Sequence, residues 1–283
     1  RIPIQGEDPR ALATNALCDV VYVAVFESGN GSTILGGGMD NPAIFNPPNV
    51  VSLPFTPHGG VNPPPNDGAN FNPPINPALP PPPRVSLIAK QDEQGAWRDD
   101  NGGDWTEFVS GPNALMSGRL PGWTLLDHDI AVIDPATLQV TSYVDKLMNI
   151  NMAMAVHPSN GQVAVVGTDA TNEVRFEPVL QGTFTRVNLA LVNVPAATKT
   201  VVDLNDHLDY SVPTVPQNVR NRSLGDPRGI AWNLGGTRAY VTGMGSNNVV
   251  VIDSLGNRAG LAPTIEVGTG PTGIVAHHTA NRL

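Results

Sequence analysis

The sequence feature that most limits the fold is a short pattern that occurs four times. Each copy has a small apolar segment, a polar turn and then an aliphatic segment. The copies at 8–23 and 226–241 match throughout at a separation of 218 residues, and the copy at 152–165 lies 76 residues before the later one. A fourth copy begins at Gly270. Repeats of this length, made of short strands, predict stacked β-units that cannot bury both faces alone.

The plainest copy runs from Pro227 to the start of the next at Pro271, a period of 44 residues, and holds four short apolar segments. They are separated by turn-forming residues, as in the Asn233–Gly236 turn. Four strands in about 40–50 residues is the size of one propeller blade. The predicted strands are residues 229–232, 238–242, 248–253 and 264–267. We therefore predict an all-β fold, a β-propeller of four-stranded blades.

Three parts of this copy resemble the YVTN-type β-propeller repeat family. They are Tyr240-Val241-Thr242-Gly243, Val249 to Asp253, and the Gly270-Pro271-x-Gly273-Ile274 start of the next unit. The family has Asn where this chain has Gly243. The likeness covers residues 1–35, 127–192 and 223–283. It implies an exported bacterial protein, periplasmic or at the cell surface, of a kind sometimes linked to c-type cytochrome modules.

The other copies are interrupted, which sets the predicted domain boundaries. We expect the start of a blade at 1–35, a Pro-rich insertion within that blade at 36–126, and propeller strands at 127–192. A loop is expected at 193–222, and a blade plus the start of the next at 223–283. In the middle blade, 172–177 and 183–192 are predicted to be the outer strands. About three and a half blades result, so we expect an incomplete propeller cut from a longer protein.

The insertion adds about 98 residues to the first blade, and its first half is dense in proline. Fifteen prolines lie between Pro42 and Pro83. Such a segment has few backbone donors and favours an extended polyproline conformation. Its second half has strand-like character, with aromatic residues to pack it: Trp97, Trp105, Phe108 and Trp123.

Composition excludes several classes of function. The net charge of −9, without any basic run, argues against nucleic acid as a partner. No stretch approaches about 18 consecutive apolar residues, so membrane insertion is not expected. The single cysteine, Cys18, allows no internal disulfide. A Cys-x-x-Cys-His motif is absent, so any haem would have to lie outside this chain.

An acidic turn at 99–104 is the candidate metal site. Asp99, Asn101 and Asp104 place side-chain oxygens at intervals around glycine, which suits Ca²⁺. The same residues are typical of a hairpin turn, because Asn-Gly and Asp-Gly are preferred turn dipeptides. Calcium is thus the one cofactor that the sequence suggests.

Two arginines occupy the same place in their repeats, just before the innermost strand. In a propeller, Arg10 and Arg228 would lie at a mouth of the central channel, where they could bind an anionic group. Alternatively, they pair with a neighbouring acid, Glu7, Asp8 or Asp226. His157 falls at a turn position shared by the repeats, which favours a turn-forming role over metal binding.

No catalytic constellation is evident, so we expect a non-catalytic platform for binding or assembly. Its partner would be another protein or the remaining blades. The alternative is a propeller enzyme, a lactonase or a quinone- or haem-linked oxidoreductase, whose active site is completed by segments missing here. In a third possibility, the prolines of the insertion carry the function by docking in aromatic grooves or clamping a neighbouring subunit.

Overall fold

A computed structural model describes residues 1–35, 63, 87–100, 102–114, 125–174, 182–210, 215–258, 264–277, 279 and 282–283. This part of the chain is mostly β. Its elements, in chain order, are β1 (Glu7–Thr14), β2 (Val21–Glu27), β3 (Ser32–Leu35), β4 (Leu87–Gln91), β5 (Trp97–Arg98), α1 (Thr106–Val109), β6 (Ile130–Asp134), β7 (Gln139–Val144), β8 (Ile150–Val156), β9 (Val163–Val174), β10 (Gly182–Asn193), β11 (Thr198–Asp203), α2 (Gln217–Arg220), β12 (Pro227–Trp232), β13 (Arg238–Gly243), β14 (Asn248–Asp253) and β15 (Ile265–Glu266).

Twelve of the fifteen described strands form three antiparallel four-stranded units. The first is β1-β2-β6-β7, the second β8-β9-β10-β11 and the third β12-β13-β14-β15. A bridge between Glu27 and Ile150 joins the first two units into one curled sheet. The strands predicted for the third unit are confirmed, with boundaries that differ by up to two residues.

The sequence repeat is also a repeat of backbone geometry. The first strand of each unit has a register shift at the same place, around Arg10, Met152 and Arg228. Such a bulge adds one residue to a strand and increases its local twist. The residue two before the arginine, Asp8 or Asp226, has a positive φ, of 57° and 50° respectively.

The fourth copy forms the same first turn as the other three. In each copy, the residue that opens the turn donates its backbone N–H to a carbonyl five residues later. The donors and acceptors are Asn15 and Val20, His157 and Gln162, Asn233 and Arg238, and His277 and Arg282, at 2.8–3.2 Å. The fourth copy, inferred at Gly270, therefore shares this backbone hydrogen bond with the other three.

Alternation along the strands gives each unit two apolar faces. We call the face towards the following unit the leading face and the opposite one the trailing face. The leading face of the first unit (Tyr22, Ala24, Ile130, Val132) packs on the trailing face of the second (Val163, Val165, Ala190, Val192). The leading face of the second (Ala164, Val166, Leu189, Leu191) packs on the trailing face of the third (Ala239, Val241, Val250, Ile252). Each fully buried aliphatic side chain contributes about 1.5–3 kcal/mol, so these two layers are the main core.

The described part of the insertion forms a small sheet of its own. Its strand order is β3-β4-β5, and α1 packs beside it. The core of this sheet includes Trp97, Trp105 and Phe108, as the sequence predicted. Asp169 of β9 binds Lys90 and accepts a hydrogen bond from Asn30 at 2.7 Å, which ties the small sheet to the second unit. Nearly all of the proline-dense half, and Trp123, lie outside the described residues.

The middle of the chain differs from its sequence prediction. Residues 193–222, predicted to be a loop, contain β11 and the short helix α2. Residues 172–174 are not the start of a separate strand but the end of the 12-residue β9. The prediction divided the long strand β9 into two strands, which gave the second unit four strands without β11. Thr198–Asp203 is rich in Thr and Val, which suit a half-buried strand.

Among the residues described, no helix is long and apolar enough to cross a membrane.

Candidate binding face

The leading face of the third unit has no further unit stacked on it in the described structure. Successive residues of a strand point to opposite faces, so the residues that alternate with the covered trailing face belong to this leading face. They are Tyr240, Thr242, Val249 and Val251. Strand β15 extends this surface, since Ile265 pairs directly with Val249. We call the set Tyr240, Thr242, Val249, Val251, Ile265 and Val267 the open face.

A cavity of about 640 Å³ lies on the open face. Its walls are Thr242, Val249, Ile265 and Val267 on one side and parts of 271–275 with Leu283 on the other. None of the lining side chains is charged. On β15 the exposed fraction is 45% for Ile265 and 38% for Val267, whereas Thr242 and Val249 on the inner strands are buried. Apolar side chains that remain exposed together mark a surface that binds something.

Segment 271–276 is held against the third unit by close backbone contact. A Cβ atom at Gly229 of β12 would lie 3.0 Å from both Gly273 Cα and Ile274 N. Real Cβ atoms seldom come so close, so glycine at 229 permits the approach. A second cavity, of about 360 Å³, lies between Tyr240, the 233–235 turn and four residues near the end of the chain, Ala276, His277, Arg282 and Leu283. The open face therefore continues along the whole segment.

The two arginines singled out from the sequence each bind the aspartate two residues before them. Arg10 pairs with Asp8 and also lies over the ring of Phe26, at 3.7 Å from the ring centroid. Arg228 contacts Asp226, with Nε 2.9 Å from Oδ1. The structure thus shows the local ion pairs weighed as the alternative. A role for Arg10 and Arg228 in binding an anion stays a prediction.

In the acidic turn, the described carboxylates have structural partners. Asp99 is 5% exposed and accepts hydrogen bonds from Gly103 N at 2.9 Å and Trp105 Nε1 at 2.7 Å. Asp104 accepts one from Thr106 N at 3.0 Å. Asn101 lies outside the described residues. No group of three or more His, Cys, Asp or Glu side chains suited to a metal occurs in the described ranges. Calcium binding by Asp99, Asn101 and Asp104 stays a prediction.

The histidine at the second unit's turn has a clear structural role. Nδ1 of His157 accepts hydrogen bonds from Ser159 N and Asn160 N, at 3.2 and 3.3 Å. Its Nε2 therefore carries the proton and donates to Gly236 O at 2.8 Å, in the third unit. The turn-forming interpretation agrees with these contacts, and His157 also links two units, which the sequence did not indicate.

A buried carboxylate, Asp129, joins the first two units; from the sequence, it flanks His128 in a possible metal or proton-transfer cluster at the start of an outer strand. Asp129 is fully buried and accepts hydrogen bonds from Leu147 N at 2.9 Å, Met148 N at 3.3 Å and Asn151 Nδ2 at 2.8 Å. Desolvation outweighs these donors and raises the pKa of Asp129 to about 6. The available signal was its position, because Asp129 aligns with Asn188 and Asn248, which are also buried.

Comparisons with known proteins give no family for the chain. No family model matches it, and no curated protein matches it. Similar solved structures include hydrazine synthase of Kuenenia stuttgartiensis, with 13% identity, 95% of this chain and 77% of that chain covered, and a TM-score of 0.41. The Dos1 propeller has 10% identity, 92% and 48% coverage and a TM-score of 0.33. A Trichoderma reesei carbohydrate-active enzyme of family AA12 has 13% identity, 93% and 71% coverage and a TM-score of 0.30. At these identities and TM-scores, the likenesses say nothing about what this chain does.

Proposed function

We propose that the chain is a non-catalytic platform of the β-propeller type, on which a protein partner or further blades assemble. The observation that carries this proposal is the open face with its cavity of about 640 Å³. Two equivalent faces in the same molecule are covered by β-sheet, and both are buried. The chemistry that suits the third is therefore another apolar protein surface.

The resemblance to YVTN-type repeats supports the remaining details. It favours an exported bacterial protein, periplasmic or at the cell surface, as the setting of the platform. The three antiparallel four-stranded units, with a fourth first turn, agree with an incomplete propeller of about three and a half blades.

Self-association tests whether the open face binds protein. In sedimentation velocity over a rising concentration series, we expect the wild-type chain to form species larger than its 29.8 kDa monomer. Ile265→Lys and Val267→Lys place a charge on the open face and should keep the chain monomeric. Both residues are partly exposed, so these changes should not unfold the protein.

The matched control is Leu138→Lys, in the turn between β6 and β7 of the first unit. Leu138 is 57% exposed and does not line the open face. We expect this variant to associate like the wild type. A wild-type chain that stays monomeric throughout, or equal association of all variants, would overturn the proposal.

A further inference from the structure

Segment 271–276 has the position of a first strand in the fourth copy. Its sequence follows the pattern of β1, β8 and β12, each of which pairs antiparallel with the next strand of its unit. In the described ranges, no strand pairs with 271–276. A segment with an unpaired backbone edge presents N–H and C=O groups that another strand can bind.

The covered interfaces show what fills the equivalent space elsewhere. On the first unit, Val163 and Val165 of β9 cover the leading face. On the second, Ala239 and Val241 of β13 do so. In both cases two small aliphatic side chains, two residues apart, come from the second strand of the following unit. Stacking of the same kind, continued onto the third unit, would place such a strand over Thr242 and Val249.

We propose that a β-strand with small aliphatic side chains at alternate positions adds antiparallel to 271–276 and fills the cavity on the open face. This inference rests on the proposed function, because it names the kind of surface that the platform binds. The uncharged lining selects against acidic or basic side chains on the inward face of the added strand. The outward face meets no such requirement.

The chain itself supplies a probe, the β13 sequence Arg238–Gly243. A fluorescent peptide of this sequence should bind the full chain, measured by fluorescence anisotropy. The control peptide carries Ala239→Asp and Val241→Asp, which place two carboxylates in the cavity. We expect it to bind at least about tenfold more weakly, or about 1.4 kcal/mol.

Two variants of the chain separate strand pairing from simple apolar contact. Val275→Pro removes a backbone donor and should abolish peptide binding. Val275→Ala keeps the donor and should retain binding within a few-fold. Val275 is 76% exposed, so neither change should disturb the fold. Hydrogen exchange gives a direct readout, since peptide binding should slow exchange of the amides of 272–276.

The outcomes distinguish this inference from the proposed function. Equal binding of both peptides, or of the peptide to Val275→Pro and Val275→Ala, would overturn strand addition and indicate a general apolar site. Absence of peptide binding would also overturn it. If Ile265→Lys still prevented self-association in that case, the binding platform would stand without the added strand.

Discussion

The buried carboxylate of Asp129 makes the stability of the chain depend on pH in an unusual direction. Its pKa is raised from 3.8 to about 6 in the folded protein by burial. A folded-state pKa above the unfolded value means that the folded state binds the proton more tightly. The stabilisation is therefore complete below the unfolded pKa and is lost as the pH rises through about 6.

The magnitude follows from the shift. Two pKa units correspond to about 3 kcal/mol over the whole range. Between about pH 5 and pH 7.5, the loss in unfolding free energy from this group is about 1.4 kcal/mol. Asp129→Asn cannot titrate, so this part of the pH dependence should disappear in the variant.

Urea denaturation of wild type and Asp129→Asn at the two pH values measures the difference. The absolute stability of the variant is not the test, because its amide group cannot accept the hydrogen bonds of the carboxylate equally well, above all the one from Leu147 N. Glu7→Gln, at an exposed position of β1, is the control and should keep the wild-type pH dependence. An unchanged pH dependence in Asp129→Asn would refute the reasoning.

Three further predictions concern individual contacts, two of them next to the third unit and one in the acidic turn. Gly229→Ala should push residues 273–274 away from β12, which should lower the unfolding free energy by about 1–3 kcal/mol and speed hydrogen exchange of the amides of 272–276. Unchanged exchange would show that the close contact is absent. Asn205→Ala should lower the unfolding free energy in urea by about 1–3 kcal/mol, because Asn205 forms hydrogen bonds with both the backbone N–H and C=O of the buried Leu224. The control is Asn257→Ala, at an exposed turn asparagine, and a smaller loss of unfolding free energy in Asn205→Ala than in this control would contradict the contact. Asp99→Ala should lower the thermal midpoint without added metal, because Trp105 Nε1 loses its buried acceptor; a calcium-induced rise in the wild-type midpoint that Asp99→Ala and Asp104→Ala both remove would establish the calcium site.

The strand pattern of the third unit could be predicted because it is local. Short apolar segments and turn residues fix β12 to β15 without long-range information. The strands of the second unit were harder to predict, since β9 runs for 12 residues and β11 follows a turn at 194–197. Sequence pattern does not show how far a strand continues once its partner strand supports it.

The candidate site was predictable only in part. The sequence placed Arg10 and Arg228 at equivalent positions, but their pairing with Asp8 and Asp226 depends on the bulge geometry. The position of the open face depends on which side of β13 and β14 packs on the second unit. This is a matter of tertiary packing, which the local sequence pattern does not show. Its apolar residues look like ordinary core in the sequence, because the same alternation is buried in the other two units.

The most direct test of the account is the reactivity of a cysteine placed on the open face. In a Cys18→Ser background, which removes the chain's single cysteine, Ile265→Cys should react rapidly with a thiol reagent. Val166→Cys, on the covered leading face of the second unit, should react far more slowly. Because the added strand would cover the open face, we expect the β13 peptide to slow the reaction of Ile265→Cys at least about tenfold. Equal rates for Ile265→Cys and Val166→Cys, or no protection by the peptide, would contradict it.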